Sequence, residues 1–295
     1  PTLERGFPVR QVFAGQKAQN TFHLHLMQPI EGSVEVALTA YPGALEEVLK
    51  SAERMLQQPG GCFEQVSSNN YPNLLVLDLL RRSRRSAPET EQRAKEYLTS
   101  GYHQLTGYEC KGGGFDWWGR EPAHEGLTAY GLLEFTDMKK VFPVDESLIQ
   151  RTVKWLRSRR DGQGGWNINP NSLHGWQNDG VLAAYMAWAI AEAGYGKDFS
   201  AEINKAAETA WSSSDPYQMA LLTNALFATG DARANRYLAR LLEQQQPEGL
   251  WKGKTHSVLH ADGPCFDMET TALGALALGV GALGGTAGAA AAATW

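Results

Sequence analysis

Cys62 and Gln65 stand three residues apart in Gly60-Gly-Cys-Phe-Glu-Gln65, a loop that runs straight into an apolar helical stretch. In a tight turn entering a helix, this spacing sets a thiol sulfur beside a side-chain carbonyl. A thiolate attacking that carbonyl, with loss of ammonia, closes an internal thioester. Such a bond is a stored electrophile; it needs no metal or cofactor, only shelter from water and later release in front of a nucleophile. The paired glycines Gly60 and Gly61 supply backbone freedom to place Cys62, and a helix N-terminus favours its thiolate. Gly61, Phe63 and Glu64 complete the motif. Taken alone, these residues leave a free, packed cysteine at a helix start as the commoner alternative.

The elements that must position this pair are helical. Leu45, Val48, Leu49, Ala52, Met55 and Leu56 follow helical spacing, and Pro59-Gly60-Gly61 stops that helix. Further helices are predicted near 65–82, 89–105, 124–136, 145–159, 178–194, 200–211, 215–229, 231–246 and 268–280. Three long connections are rich in Gly and aromatic residues and resemble one another: Gly112-Gly-Gly-Phe-Asp-Trp-Trp-Gly119, Asp161-Gly-Gln-Gly-Gly-Trp166 and Pro247-Glu-Gly-Leu-Trp251. Each precedes a helix apolar on nearly all sides, such as Thr128-Ala-Tyr-Gly-Leu-Leu-Glu-Phe135 or Thr271-Ala-Leu-Gly-Ala-Leu-Ala-Leu278. A helix apolar all round is buried, while its amphipathic partner faces water. Alternation of the two predicts an all-α fold, an α/α toroid of helix pairs. Six pairs would close the ring and about ten helices are legible, so the sixth pair reads as incomplete. Residues 1–43 differ: Val9–Phe13, Thr21–Met27 and Ser33–Tyr41 are short β-prone runs, a β segment whose partner strands lie elsewhere.

Composition narrows the function. With 27 Lys+Arg against 32 Asp+Glu, a net charge of −5 and no basic cluster, nucleic acid and anionic membranes are excluded as main partners. Three cysteines are too few for a disulfide scaffold and are spaced wrongly for structural zinc. Cys110 and Cys265 each lie in a loop before an inner helix; a disulfide between them and two unpaired thiols are both open. His23 with His25, and His256 with His260, lack a third ligand at familiar spacing, so no metal or cofactor is expected. His124-Glu125 follows a Gly-Trp loop without the second histidine of a zinc helix motif, and a structural role is expected. The chain opens at Pro1 without an initiator methionine or signal peptide and reads as a piece of something longer. The Gly/Ala-rich end has little apolar drive for a membrane span, and 284–295 is a low-complexity tail that reads as an artefact as readily as structure.

Pro59-Gly-Gly-Cys-Phe-Glu-Gln-Val-Ser-Ser-Asn-Asn-Tyr-Pro-Asn-Leu-Leu-Val-Leu77 resembles the thioester region of bacterial alpha-2-macroglobulins, within the complement/alpha-2-macroglobulin superfamily. The likeness continues through Gly112–Tyr130, Ser158–Gly162, Met268–Ala272 and the lead-in Ser33–Pro42. The resemblance implies an α/α-toroid thioester domain over 44–283, flanked by strands of a CUB-like domain that would include 1–43. It implies a broad-spectrum protease inhibitor, not an enzyme. Cleavage of a bait region elsewhere exposes the thioester, and a nucleophile on the attacking protease opens it and is trapped covalently. Target proteases and shielding domains of the longer chain are the implied partners. The implied location is extracytoplasmic: periplasm, cell envelope or secreted. Carried over by residue, Cys62 and Gln65 form the bond with Glu64 between them; Phe63 stands where vertebrate members usually have Gly. Asp161–His174 is similar to the region holding the acyl-relay histidine of complement-type members, which makes His174 the candidate relay. An imidazole suits nucleophilic relay near neutral pH, and a surface-loop histidine is the commoner alternative.

Two other classes compete. One is an enzyme on an α/α toroid, terpene-cyclase-like or glycan-processing; the Gly-Gly-Trp loops support it. The missing Asp-x-Asp-Asp motif and the lack of a spaced carboxylate pair oppose it. The other is a non-covalent binding module with Cys62 inert.

Overall fold

The computed structural model describes residues 51, 53–83, 87–171 and 179–282, all within one unit, Gly43–Trp295. The β segment 1–43, His23, His25, His174 and the tail 284–295 lie outside the described residues.

Nine α-helices and a short π-helical turn (Ala191–Tyr195) follow the turn at Gln57–Cys62 among the described residues: α1 (Phe63–Ser83), α2 (Pro88–Thr106), α3 (Glu125–Met138), α4 (Glu146–Ser158), α5 (Gly180–Ile190), α6 (Ser200–Ser213), α7 (Pro216–Thr229), α8 (Ala234–Leu242) and α9 (Gly263–Ala282). They pack as alternating layers. The odd-numbered helices form an inner wall in succession, α1 on α3, α3 on α5, α5 on α7 and α7 on α9. The even-numbered ones lie outside: α2 on α1, α4 on α3, α6 on α5 and α7, α8 on α7 and α9. This is the alternation of buried and amphipathic helices read from the sequence. In α7 every residue from Pro216 to Phe227 is buried, whereas outer α4 buries only Leu148, Ile149, Thr152, Val153 and Leu156.

Local signals set the boundaries. Asp145, Asp179 and Asp215 cap α4, α5 and α7 by accepting from backbone N–H groups in the first turn. Gly230 closes α7 in a left-handed conformation. Two boundaries differ from expectation: α8 stops at Leu242 and α9 starts at Gly263. Pro264 in the first turn of α9 suits a position whose N–H needs no intrahelical partner. The inner wall is also less apolar than the sequence suggests at α1, which buries Ser67, Asn70 and Asn73 alongside Phe63, Val66, Leu74 and Leu77.

The three Gly-aromatic connections are tight reversals. Isolated bridges pair Glu109 with Phe115 and Arg160 with Trp166, and Gln246 N–H donates to Leu250 O at 2.8 Å in the third. The first drops Phe115 and Trp117 into the core, the second Trp166 and the third Trp251. Among the described residues no helix is long and apolar enough to cross a membrane.

Candidate functional site

The loop before α1 is built around two side chains of opposite exposure. Cys62 is buried, 4% exposed, while Gln65 in the first helical turn is exposed. Gln65 reaches back over the loop, and the Cys62 N–H donates to its Oε1 at 3.2 Å. The helix begins at the same place, with Val66 N–H donating to Cys62 O at 2.9 Å. Gly61 makes the approach possible. Its φ is +108°, and a Cβ there would lie 2.2 Å from Gln65 Oε1. The glycine is required both by its left-handed backbone and by the space its missing side chain leaves to the amide.

Phe63 and Glu64 anchor this loop rather than line it. The Phe63 ring is fully buried against Phe115, with centroids 4.9 Å apart, and meets Tyr108 edge-on at 6.3 Å. Gly131 on α3 leaves room for it: a Cβ there would come within 2.9 Å of the ring tip. Burying such a ring contributes roughly 1.5–3 kcal/mol, more than a hydrogen bond's net ~1 kcal/mol, so Phe63 is the main tether of the motif. Its N–H donates to Trp117 O at 2.9 Å, and Trp117 Nε1 donates to Glu64 Oε2 at 2.8 Å. Tyr108 donates its hydroxyl to Gly61 O at 2.5 Å, and Gln104 Nε2 donates to Pro59 O at 3.2 Å. Further back, Asn73 clasps Gln57 through both its amide groups, at 3.1 and 2.8 Å. The end of α2 and the first Gly-aromatic connection thus hold the whole stretch 59–64.

The electrostatics beneath the loop are set by burial. Glu134 on α3 lies fully buried, accepts from Asn70 Nδ2 at 2.9 Å, and has its pKa pushed up to about 7 by desolvation. Asn70 fits there because Gly101 has no side chain; a Cβ at 101 would lie 2.2 Å from Asn70 Oδ1. Burial, and then the neighbouring Cys62 thiol, push the Tyr108 hydroxyl up, which keeps it a proton donor.

The other candidates named from the sequence separate. His124 is buried at the N-terminus of α3 and packs against Trp117, ring centroids 5.2 Å apart. Glu125 is buried and ion-paired with Arg159 at 2.5 Å, and accepts from Asn169 N–H at 2.7 Å. Asn169 Nδ2 also donates to Pro122 O at 3.0 Å, which pins the segment leading toward His174 onto the start of α3. Cys110 and Cys265 are both free in the structure. Cys110 is buried after α2, which packs on α1, whereas Cys265 is exposed at the start of α9, which packs on α7 and α8. Burial, then Asp116 and Glu121, push the Cys110 thiol up to about 11. His256 stacks on His260 at 4.5 Å and pairs with Asp179 at 3.2 Å. Among the described residues no cluster of three or more His, Cys, Asp or Glu is placed to hold a metal.

No pattern in the sequence singles out Tyr108, Gln104 or Asn73. They touch the loop through long-range hydrogen bonds, which no periodicity encodes. Trp117 is visible in the sequence only as part of the recurring aromatic connection, with no sign that it reaches Glu64.

A ring of α/α pairs with a Gly-Gly-Cys-x-Glu-Gln turn at the start of an inner helix defines a thioester-type domain. Residues 24–292 match the family model of the A-macroglobulin TED domain, and the chain belongs to that family. It is similar to thioester-containing protein 1 allele R1 of Anopheles gambiae, 25% identical over 223 residues, which are 72% of this chain and 17% of that one. It is also similar to ovostatin of Gallus gallus, 25% identical over 230 residues, 74% of this chain and 16% of the relative. The chain therefore spans about a sixth of the length of these relatives. Its fold matches a crystal structure of Salmonella alpha-2-macroglobulin reacted with methylamine, with a TM-score of 0.57 at 18% identity, covering 83% of this chain and 16% of that one.

Proposed function

We propose that Cys62 and Gln65 form an internal thioester and that this domain is the covalent trap of a bacterial alpha-2-macroglobulin-like protease inhibitor. The observation that carries the reading is the approach of the Gln65 amide to the Cys62 backbone through the gap at Gly61. It sets an acyl carbon beside the cysteine that would take it. In this reading the domain is not an enzyme, since each bond is opened once. Cleavage of a bait segment in the longer protein exposes the thioester, and an amine or hydroxyl of the protease attacks Gln65 Cδ. The sulfur leaves as the Cys62 thiol, and the target stays attached through the Gln65 acyl group. Neighbouring domains of the longer chain, including a CUB-like one to which residues 1–43 contribute, shield the bond beforehand. His174 is the candidate acyl relay toward hydroxyls, and the protein acts outside the cytoplasm, in the periplasm or envelope or after secretion. That the fold-related Salmonella protein was crystallised after reaction with methylamine supports amine reactivity at this site.

Intact mass of fresh protein tests the reading. Closure lowers the mass by one ammonia and masks the Cys62 thiol. Methylamine should then add at Gln65 and release that thiol, and the Cys62→Ser variant should show neither change. Unmodified mass, a titratable Cys62 in fresh material and no methylamine uptake would sink the proposal.

A further inference from the structure

One peptide unit at the site is held at both ends. The carbonyl of Gly61 accepts from the Tyr108 hydroxyl at 2.5 Å, and the N–H on the other side of the same peptide bond, that of Cys62, donates to Gln65 Oε1 at 3.2 Å. A planar trans peptide points its C=O and N–H in opposite directions, so fixing the oxygen aims the hydrogen. Gly61 is free to rotate at φ +108° with no side chain to brace it. The orientation is therefore set from outside, by Tyr108. A hydrogen bond to the carbonyl also polarises the unit and strengthens its N–H as a donor.

We propose that the Cys62 backbone N–H is the oxyanion donor for both closing and opening the thioester, and that Tyr108 is the positioning residue that aims it. The inference rests on the thioester reading above. In closure, the Cys62 sulfur gives up its proton and bonds to Gln65 Cδ. Oε1 carries the negative charge of the tetrahedral intermediate, the Cδ–N bond breaks, and ammonia leaves with the proton. In opening, an amine nitrogen bonds to Cδ, Oε1 again carries the charge, the S–Cδ bond breaks, and the sulfur takes the proton the amine loses. Both directions place charge on the atom the Cys62 N–H already touches. Preorganised donors aimed at such an atom give the largest gain where charge develops. Cys62 is the titratable group acting on Tyr108; in the closed thioester it has no proton to lose.

The sign of the effect separates this role from shielding. Tyr108→Phe keeps the ring that packs on Phe63 and removes only the hydroxyl. If Tyr108 aims the oxyanion donor, methylamine opening of the closed thioester should slow by about three- to tenfold, with the thermal midpoint nearly unchanged. The ratio of wild-type to variant rates should fall toward one as the pH rises through ionisation of Tyr108. If the hydroxyl merely kept water or amines out, opening would accelerate; acceleration or an unchanged rate overturns the proposal. Should the variant not fold, 3,5-difluorotyrosine at position 108 carries the same test, because it keeps the hydrogen bond at low pH and ionises at a lower pH than tyrosine. Opening should then slow across a pH range where the wild type shows no such step, and no slowing overturns the proposal. A wild-type chain that neither loses ammonia nor takes up methylamine overturns the thioester reading itself, whatever the variants do.

Discussion

The connection leading into α3 and the one leading into α9 are built on the same plan and used differently. In the first, Phe115 N–H donates to Thr128 Oγ1 at 2.9 Å; in the second, Trp251 N–H donates to Thr271 Oγ1 at 3.0 Å. Three residues beyond each threonine stands a glycine against which the aromatic ring packs, Gly131 under Phe115 and Gly274 under Trp251. The middle connection lacks both devices, and its Trp166 stacks on Phe199 at 5.6 Å instead. The first connection alone extends past its own plug to hold the turn before α1, through Tyr108 and Trp117. Beneath it α3 buries Glu134, where α9 at the equivalent register buries Ala277. The aromatic plug thus belongs to the fold, and the polar additions around it belong to the site.

The largest effect expected from that division is at glycine. Gly61 and Gly249 both have positive φ, +108° and +88°. Alanine at either strains the backbone by about 1–2 kcal/mol. At Gly249 the new Cβ meets nothing nearer than the Gln245 amide nitrogen at 4.0 Å, whereas at Gly61 it falls 2.2 Å from Gln65 Oε1. Gly61→Ala should therefore abolish ammonia loss and methylamine uptake, and Gly249→Ala should leave both intact with a modest fall in melting temperature. Intact mass and a thermal melt on both variants check the pair, and a closed thioester in Gly61→Ala would break the comparison.

The plan of the fold was legible because it repeats. Thr128-Ala-Tyr-Gly131 and Thr271-Ala-Leu-Gly274 are similar strings after similar loops, and the periodicity of the helices between them is strong. The candidate pair Cys62 and Gln65 was legible because their spacing is short and the chemistry is local. What supports them was not. Tyr108 lies 47 residues from Gly61 and Trp117 lies 53 from Glu64 in the sequence, and each contact is made once.

Glu134 gives the next largest difference. Burial raises its pKa to about 7, above an unfolded value of about 4.3. Its contribution to stability is therefore fully present below pH 4 and is lost as the pH rises through 7. The span corresponds to at most about 3–4 kcal/mol. Glu192, also raised to about 7 by burial, adds a background of the same sign. Glu134→Gln keeps an acceptor for Asn70 and removes the titration, so its melting temperature should exceed that of the wild type at pH 8 and approach it at pH 5. Parallel melting curves of the two proteins from pH 5 to pH 8 would show that folding does not raise the Glu134 pKa.

The smallest effect distinguishes the two plugs themselves. Thr128 is fully buried, accepts from Phe115 N–H and donates to His124 O at 2.7 Å, while Thr271 is only half-buried. Valine at 128 leaves the Phe115 N–H without its partner away from water, which costs about 1–3 kcal/mol. Valine at 271 removes one hydrogen bond at a half-buried hydroxyl, which costs about 0.5–1.5 kcal/mol. Denaturant midpoints at constant slope should rank Thr128→Val below Thr271→Val by roughly 1 kcal/mol. Because the Phe63 ring rests on Phe115, Thr128→Val should also lower the fraction of closed thioester, and Thr271→Val should not. Equal midpoints with equal closure would mean that the loop before α1 is held by Tyr108 and Trp117 without help from the plug beneath them.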